Sequence, residues 1–180
     1  VEVGSENYLI ELEKGSSDLP FIRTSDIYNN EIDYAPDYFV TADRAIAAKC
    51  PELLKDDIIF SKDGKIGQVG IINADNSVVP SSGFAIIRSN GTVSSDYLFA
   101  ILSHKEIVIN QAKMKTVIAA TIPHLKIDKI NEFNIPIFSE GVISEIESNI
   151  KVFRENISQK QQLIVEIQDI LNSSYNQLLR

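Results

Sequence analysis

Two hydrophobic periods divide the chain. Over residues 1–90, short apolar runs alternate with polar turns. From Ser95 onward the repeat lengthens to the helical period. Leu19-Pro20-Phe21-Ile22-Arg23, Ile58-Ile59-Phe60-Ser61, residues 66–73 and Gly83-Phe84-Ala85-Ile86-Ile87-Arg88 are rich in β-branched and aromatic residues and predict strands. Lys62-Asp63-Gly64-Lys65 lies between two of these runs and predicts a tight hairpin, because Asp-Gly accepts φ > 0 at both turn positions. Thr41 is a candidate N-cap for a brief helix over 42–49. Ser95 is a candidate cap for a second helix, with Asp96 in its first turn and Leu98, Ile101, Leu102, Ile107 and Val108 along one stripe. A polar connection over 113–121 follows, then a short turn over 127–130 and a last strand over 133–138, which Pro136 confines to an edge.

The tail carries the strongest repeat. Ile143, Ile150, Ile157, Ile164, Leu171 and Leu178 recur every seven residues, with Ile146, Phe153 and Ile167 at companion positions. Lys160 and Ser174 interrupt the series. With no proline after Pro136, the pattern predicts one continuous helix over 139–178, roughly 54 Å long at ~1.5 Å per residue. Ile150, Phe153, Ile157, Ile164, Ile167 and Leu171 form the expected seam for pairing with a second helix. The alternative is a helix lying back on its own domain. The fold class that follows is α+β, with a β-rich globular domain over residues 1–140 and a coiled-coil helix over 141–180.

Composition changes this picture little. The chain has 180 residues, 44% hydrophobic and 23% charged, as in soluble globular proteins. No apolar run reaches the ~20 residues a membrane helix needs. A lone thiol, Cys50, excludes an internal disulfide and fits a reducing cytoplasm. The chain starts at Val1 and its one methionine is Met114, so a piece of a longer protein is expected. The net charge of −8 argues against nucleic acid until it is divided along the chain. Residues 1–59 hold thirteen acids and five bases; residues 60–141 hold seven and eight. Lys105, Lys113, Lys115, Lys126 and Lys129 fall within one short stretch, which is either a contact surface or a solvated lysine face.

Catalytic patterns fail on inspection. Pro36-Asp37 with Asp63-Gly64-Lys65 matches the PD…DxK letters of a nuclease family, but Asp63-Gly64 reads as a turn rather than a strand, and no hydrophobic residue separates acid from lysine. Asn134-Ile135-Pro136-Ile137 lacks the second proline and the aromatic of an amino-methylating loop. Gly64, Gly67 and Gly70 do not open a helix, so no phosphate loop is supported. His104 and His124 stand twenty residues apart without companions, and no metal site or cofactor is expected.

Several segments, in order and spacing, resemble the specificity subunit of type I restriction–modification enzymes and the equivalent region fused to some adenine methyltransferases. They are Leu19-Pro20-Phe21-Ile22-Arg23-Thr24-Ser25-Asp26-Ile27, then Asp56-Asp57-Ile58-Ile59-Phe60-Ser61 with Gly64-Lys65-Ile66-Gly67-Gln68-Val69-Gly70. Ser95-Asp96-Tyr97-Leu98, residues 125–130, Asn134-Ile135-Pro136-Ile137 and the long helix follow. The resemblance covers nearly the whole chain. Departures are Phe21 where a tryptophan is common, no glycine before Thr116, and Phe138-Ser139-Glu140-Gly141 in place of a second proline and a Glu-Gln pair.

The resemblance implies a non-catalytic module that reads double-stranded DNA, with the helix as spacer. Methyl transfer to adenine from S-adenosylmethionine would then belong to a methyltransferase subunit or fused domain, with a restriction subunit as a further partner. The helix would pair with a second copy or a second recognition half. Candidate DNA-facing residues are Arg23, Thr24 and Ser25 after the first strand, Ser61, Lys62, Lys65 and Gln68 around the hairpin, Arg88, and Lys113, Lys115, Thr116 and His124 in the basic connection. Lysines suit phosphates; Arg23, Arg88 and Gln68 suit base edges. The competing reading is a protein–protein module built around the helix, which the acidic first third favours.

Overall fold

A computed structural model of the chain describes residues 2–3, 19–73, 78–115, 117–119 and 122–178. Strands β1 (Glu2–Val3) and β2 (Leu19–Ile22) are followed by a 3-10 turn over Thr24–Asp26. A small hairpin then pairs β3 (Ile27–Tyr28) with β4 (Glu31–Ile32). Its turn residues Asn29 and Asn30 have φ of 50° and 65°, the left-handed pair that a two-residue hairpin needs and that asparagine tolerates. Strand β5 (Phe39–Val40) leads into α1 (Ala42–Ala47), where Thr41 accepts the Arg44 N–H as expected of the cap. Strands β6 (Ile58–Ser61), β7 (Val69–Ile71), β8 (Val79–Pro80) and β9 (Phe84–Ile87) complete the β-rich part.

The helical part opens with α2 (Ser95–Ser103), a π-helical segment over Lys105–Ile109 and α3 (Asn110–Lys115). A hairpin of β10 (Val117–Ala119) and β11 (Ile122–His124), then α4 (Ile127–Asn131), precede α5 (Glu140–Leu178).

The main sheet runs β1-β9-β6-β7 and is antiparallel throughout. A second sheet, β5-β2-β8, lays β8 parallel to β2, with Phe21 opposite Val79. Alternate residues of a strand face opposite sides. Ile58 and Phe60 of β6, with Ala85 and Ile87 of β9, join Tyr97, Phe99, Leu102, Leu125 and Ile130 in the helix-side core. Ile59, Phe84 and Ile86 face the other way, onto Ile22, Ile27, Ile32 and Leu53. Because both faces are covered, β6 and β9 read as unbroken apolar runs rather than as alternation. The β3–β4 hairpin lies so close to β7 that a Cβ on Gly70 would sit 2.5 Å from Ile32 Cγ1, which reserves the position for glycine.

Four expectations need correcting. β6 and β7 do form the expected antiparallel hairpin, but Asp63-Gly64 is not its two-residue turn: Phe60 pairs with Val69 and Ser61 N–H donates to the Gln68 carbonyl, leaving a six-residue loop over 62–67. Ser61 closes that loop, its Oγ donating to the Lys65 carbonyl at 2.6 Å and accepting the Gln68 N–H at 2.8 Å. The α2 cap is Ser94 rather than Ser95; its Oγ accepts the Tyr97 N–H at 3.1 Å. The polar connection over 113–121 contains the end of α3 and β10, the first strand of the β10–β11 hairpin. Residues 133–138 form no strand. Side chains hold this segment instead: Tyr97 OH donates to the Pro136 carbonyl at 2.7 Å, and Gln111 pairs with both backbone groups of Asn134. Proline has no N–H to give a ladder, and these contacts replace it.

The helix is continuous, as the repeat predicts, but its seam is divided. Ile143, Ile146, Ile150 and Phe153 pack on the helix-side core, Phe153 stacks on Phe99 at 6.1 Å between centroids, and Ile157 is buried. Ile150, Phe153 and Ile157 are therefore already covered by the chain's own domain, which needs no association to bury them. Ile164, Ile167 and Leu171 remain 46%, 47% and 62% exposed.

Candidate nucleic-acid interface

Four chain segments separated in sequence meet at one end of the β-rich domain. The chain leaving β2 places Thr24 beside the turn between β8 and β9: a Cβ on Gly83 would lie 3.0 Å from Thr24 Cγ2 and 3.9 Å from the Asp63 Cβ. Ser81 donates its N–H to the Ile22 carbonyl at 2.8 Å, and Lys62 N–H donates to the Gly83 carbonyl at 2.8 Å. The Asp63 backbone bridges to His124 at the end of β11, and Gly64 N–H donates to the Pro123 carbonyl at 3.0 Å. Backbone hydrogen bonds thus hold these turns as one rigid end, the kind of scaffold on which polar side chains can be presented with fixed geometry.

Asp63 organises the charge there. One carboxylate oxygen takes the Lys62 ammonium at 2.9 Å and the other pairs with His124 Nδ1. A carboxylate only accepts, so Nδ1 carries the proton and the imidazole tautomer is set. His124 keeps a side-chain exposure of 45%, and Lys65, next to Gly64, and Ser25, next to Thr24, are exposed. Thr24 and Gln68 are half-buried.

Other candidates have structural partners. Ser61 is fully buried and serves the loop. Lys62 is 6% exposed and held by Asp63, so it is not an open phosphate contact. Arg23 pairs with Asp26 at 3.2 Å and lies 3.5 Å over the Tyr38 ring, which fixes it against the 3-10 turn. Arg88 donates to both oxygens of Asp57, at 2.8 and 3.0 Å, and to the Glu52 carbonyl at 2.8 Å; it supports a core carboxylate. Lys113 is exposed on α3, whereas Lys115 pairs with Glu132 at 2.7 Å. Lys129 pairs with the same carboxylate, and together the two lysines draw the Glu132 pKa down to about 2. Thr116 lies outside the described residues.

Sequence reasoning missed the residues that bind α5 to the domain. Arg154 donates to Asn73 Oδ1, Asp96 Oδ1 and Asp56 Oδ1 at 2.7, 2.6 and 2.6 Å. Lys160, which interrupts the heptad series, pairs with Glu31 at 2.5 Å, and Gln161 donates to the Ile32 carbonyl. Ser94 donates to Glu147 at 2.5 Å. The only signal for these contacts was a polar residue within the seam.

Among the described residues, no group of three or more His, Cys, Asp or Glu is arranged to hold a metal ion. No described helix is long and apolar enough to cross a membrane.

The fold is shared with solved structures. The HsdS subunit from Thermoanaerobacter tengcongensis superposes with a TM-score of 0.56 at 16% identity, covering 86% of this chain and 40% of that one. A chain from the structural basis of complex assembly and conformational transition of the type I R-M system gives a TM-score of 0.56 at 16% identity, covering 95% and 40%. The chain thus spans about 40% of the length of each. No curated protein matches. A family model described as the type I restriction modification DNA specificity domain matches residues 2–179, and that family is non-catalytic. By that match, which takes in both the β-rich domain and the long helix, the chain belongs to the type I restriction modification DNA specificity domain family.

Proposed function

We propose that residues 1–140 form a target recognition domain that reads double-stranded DNA through the end where Thr24, Asp63, Gly83 and His124 converge, and that residues 141–180 act as spacer and assembly helix. The convergence of three turns on the strand end that carries one oriented histidine supports this reading. Lys65 supplies a phosphate contact and His124 a base-edge contact, with Ser25 and Gln68 as further polar groups. Lys113 adds charge beside the β10–β11 hairpin. Methyl transfer to adenine falls to a methyltransferase subunit or fused domain, with a restriction subunit as a further partner, in the cytoplasm. The exposed stripe of Ile164, Ile167 and Leu171 pairs with a second copy or a second recognition half, because an apolar stripe of that size is unfavourable in water.

Fluorescence anisotropy with a mixed-sequence duplex of about 20 base pairs, over a salt series, tests the contact surface. Lys65→Glu weakens binding and lowers the slope of log K against log salt by about 1 or more, whereas Lys151→Glu on α5 changes neither. Equal losses from both variants would remove the proposed surface.

A further inference from the structure

We infer that Arg154 is a positioning residue: its ion pairs with Asp56 and Asp96 fix the angle at which α5 leaves the recognition domain, and thereby the half-site spacing that the assembled protein accepts. The second clause rests on the DNA-reading function proposed above; the first stands on geometry alone.

Arg154 is the one α5 side chain among the described residues that gathers three separate parts of the domain. Asp56 precedes β6, Asn73 follows β7, and Asp96 sits in the first turn of α2. The Arg154 side chain is 15% exposed, and Asp56 reaches it from a left-handed backbone conformation, φ 70°, which is uncommon outside glycine but which aspartate tolerates. The apolar contacts around it, Phe153 on Phe99 and Ile157, are non-directional and tolerate sliding. A planar five-donor fork aimed at two carboxylates and an amide is directional and tolerates little. Lys160 on Glu31 adds a second fixed point almost two turns further along, but there the lysine is 58% exposed and holds with a single donor.

Leverage makes this attachment matter. From Arg154 to Leu178 the helix extends about 36 Å, so a tilt of about 10° at the clamp moves its far end about 6 Å, close to two base pairs of duplex. A spacer that must hold two recognition sites in register with DNA cannot accept that error.

The test has two arms. In the first, nitroxide labels are placed at Asp128 on α4 and Ser174 on α5 in a Cys50→Ala background, and their separation is read by double electron–electron resonance. The parent gives one narrow distance distribution. Arg154→Met broadens it by several ångströms with helix content unchanged, and Arg154→Lys, which keeps charge but not the fork, falls between. A distribution for Arg154→Met that superposes on the parent's overturns the positioning role. Should Arg154→Met fail to fold, Asp96→Ala removes one acceptor and is held to the same criterion.

In the second arm, the complete specificity protein bound to its methyltransferase is given bipartite duplexes whose spacers differ by one base pair. The parent discriminates by about tenfold per base pair and Arg154→Met by less than about threefold, with affinity for each isolated half-site unchanged. Unchanged spacer discrimination overturns the link to half-site spacing. If the parent binds no duplex at all, the DNA reading falls, and with it the spacing claim, while the distance measurement still decides the positioning claim.

Discussion

Replacing Arg88 with alanine separates two roles open to an arginine beside a strand end. Its guanidinium contributes two hydrogen bonds to Asp57 and one to the Glu52 carbonyl, and Asp57 otherwise holds the Leu54 N–H at 2.8 Å. The Asp57 side chain is 4% exposed and that of Arg88 37%. Truncation therefore leaves a buried carboxylate with one backbone donor in place of three contacts. Breaking a buried pair from one side costs about 3–5 kcal/mol, and water reaching the arginine side reduces this to about 2–3 kcal/mol. For a chain of this size the loss corresponds to a Tm lower by about 4–12 °C. Urea denaturation followed by circular dichroism reads the same change as a lower midpoint with an unaltered slope. Duplex affinity, measured well below the transition, stays within about twofold because Arg88 is committed to Asp57. A variant with the parent's midpoint and lost DNA binding would refute the argument and return Arg88 to the base-reading set.

Three further substitutions follow from the same geometry. Tyr97→Phe removes the hydroxyl that holds the Pro136 carbonyl and lowers stability by about 1 kcal/mol in the same urea assay; no change would mean that the 133–138 segment is held otherwise. Ile157→Asp, in the covered half of the seam, destabilises the monomer by more than about 3 kcal/mol, whereas Ile164→Asp leaves monomer stability alone and lowers the mass seen by light scattering; identical behaviour would argue against a divided seam. Glu132 is held well below the ordinary value of 4.5, at about 2, first by the Lys115 hydrogen bond and then by that of Lys129. A depressed folded pKa gives stability that is present above about pH 4.5 and lost as pH falls towards 2, so Glu132→Gln flattens the stability profile in that window; a parallel profile would mean that the two lysines do not hold this carboxylate.

The sequence made most of the architecture readable where periodicity and local chemistry agree. The strands at Leu19–Ile22, Ile58–Ser61 and Phe84–Ile87 lie within apolar β-branched runs, and α5 follows from its seven-residue repeat. Turn chemistry misled in both directions. Asp63-Gly64 carries the stronger hairpin signature, yet Ser61 and the His124 bridge draw it into a long loop, while the less obvious Asn29-Asn30 makes the two-residue turn. The recognition end was only partly legible. Thr24, Lys65 and His124 are polar residues on turns or at a strand end, but that they meet depends on Gly83 and on backbone bonds between segments about sixty residues apart. Polarity alone could not separate Lys65, which is exposed, from Lys62, which is buried against Asp63. For the same reason a heptad count could not tell that its first half is satisfied by α2 and the sheet, since an apolar stripe does not specify what covers it.

The central claim is that DNA meets the domain at the Thr24–Asp63–Gly83–His124 end, and an amide NMR titration of the 15N-labelled chain with a mixed-sequence duplex at low salt tests it most directly. The account predicts shift changes at residues 24–25, 63–65, 81–83 and 124, suppressed by added salt. Changes confined to residues 164–175 of α5, with the four segments silent, would contradict it and leave the helix as the only interaction surface.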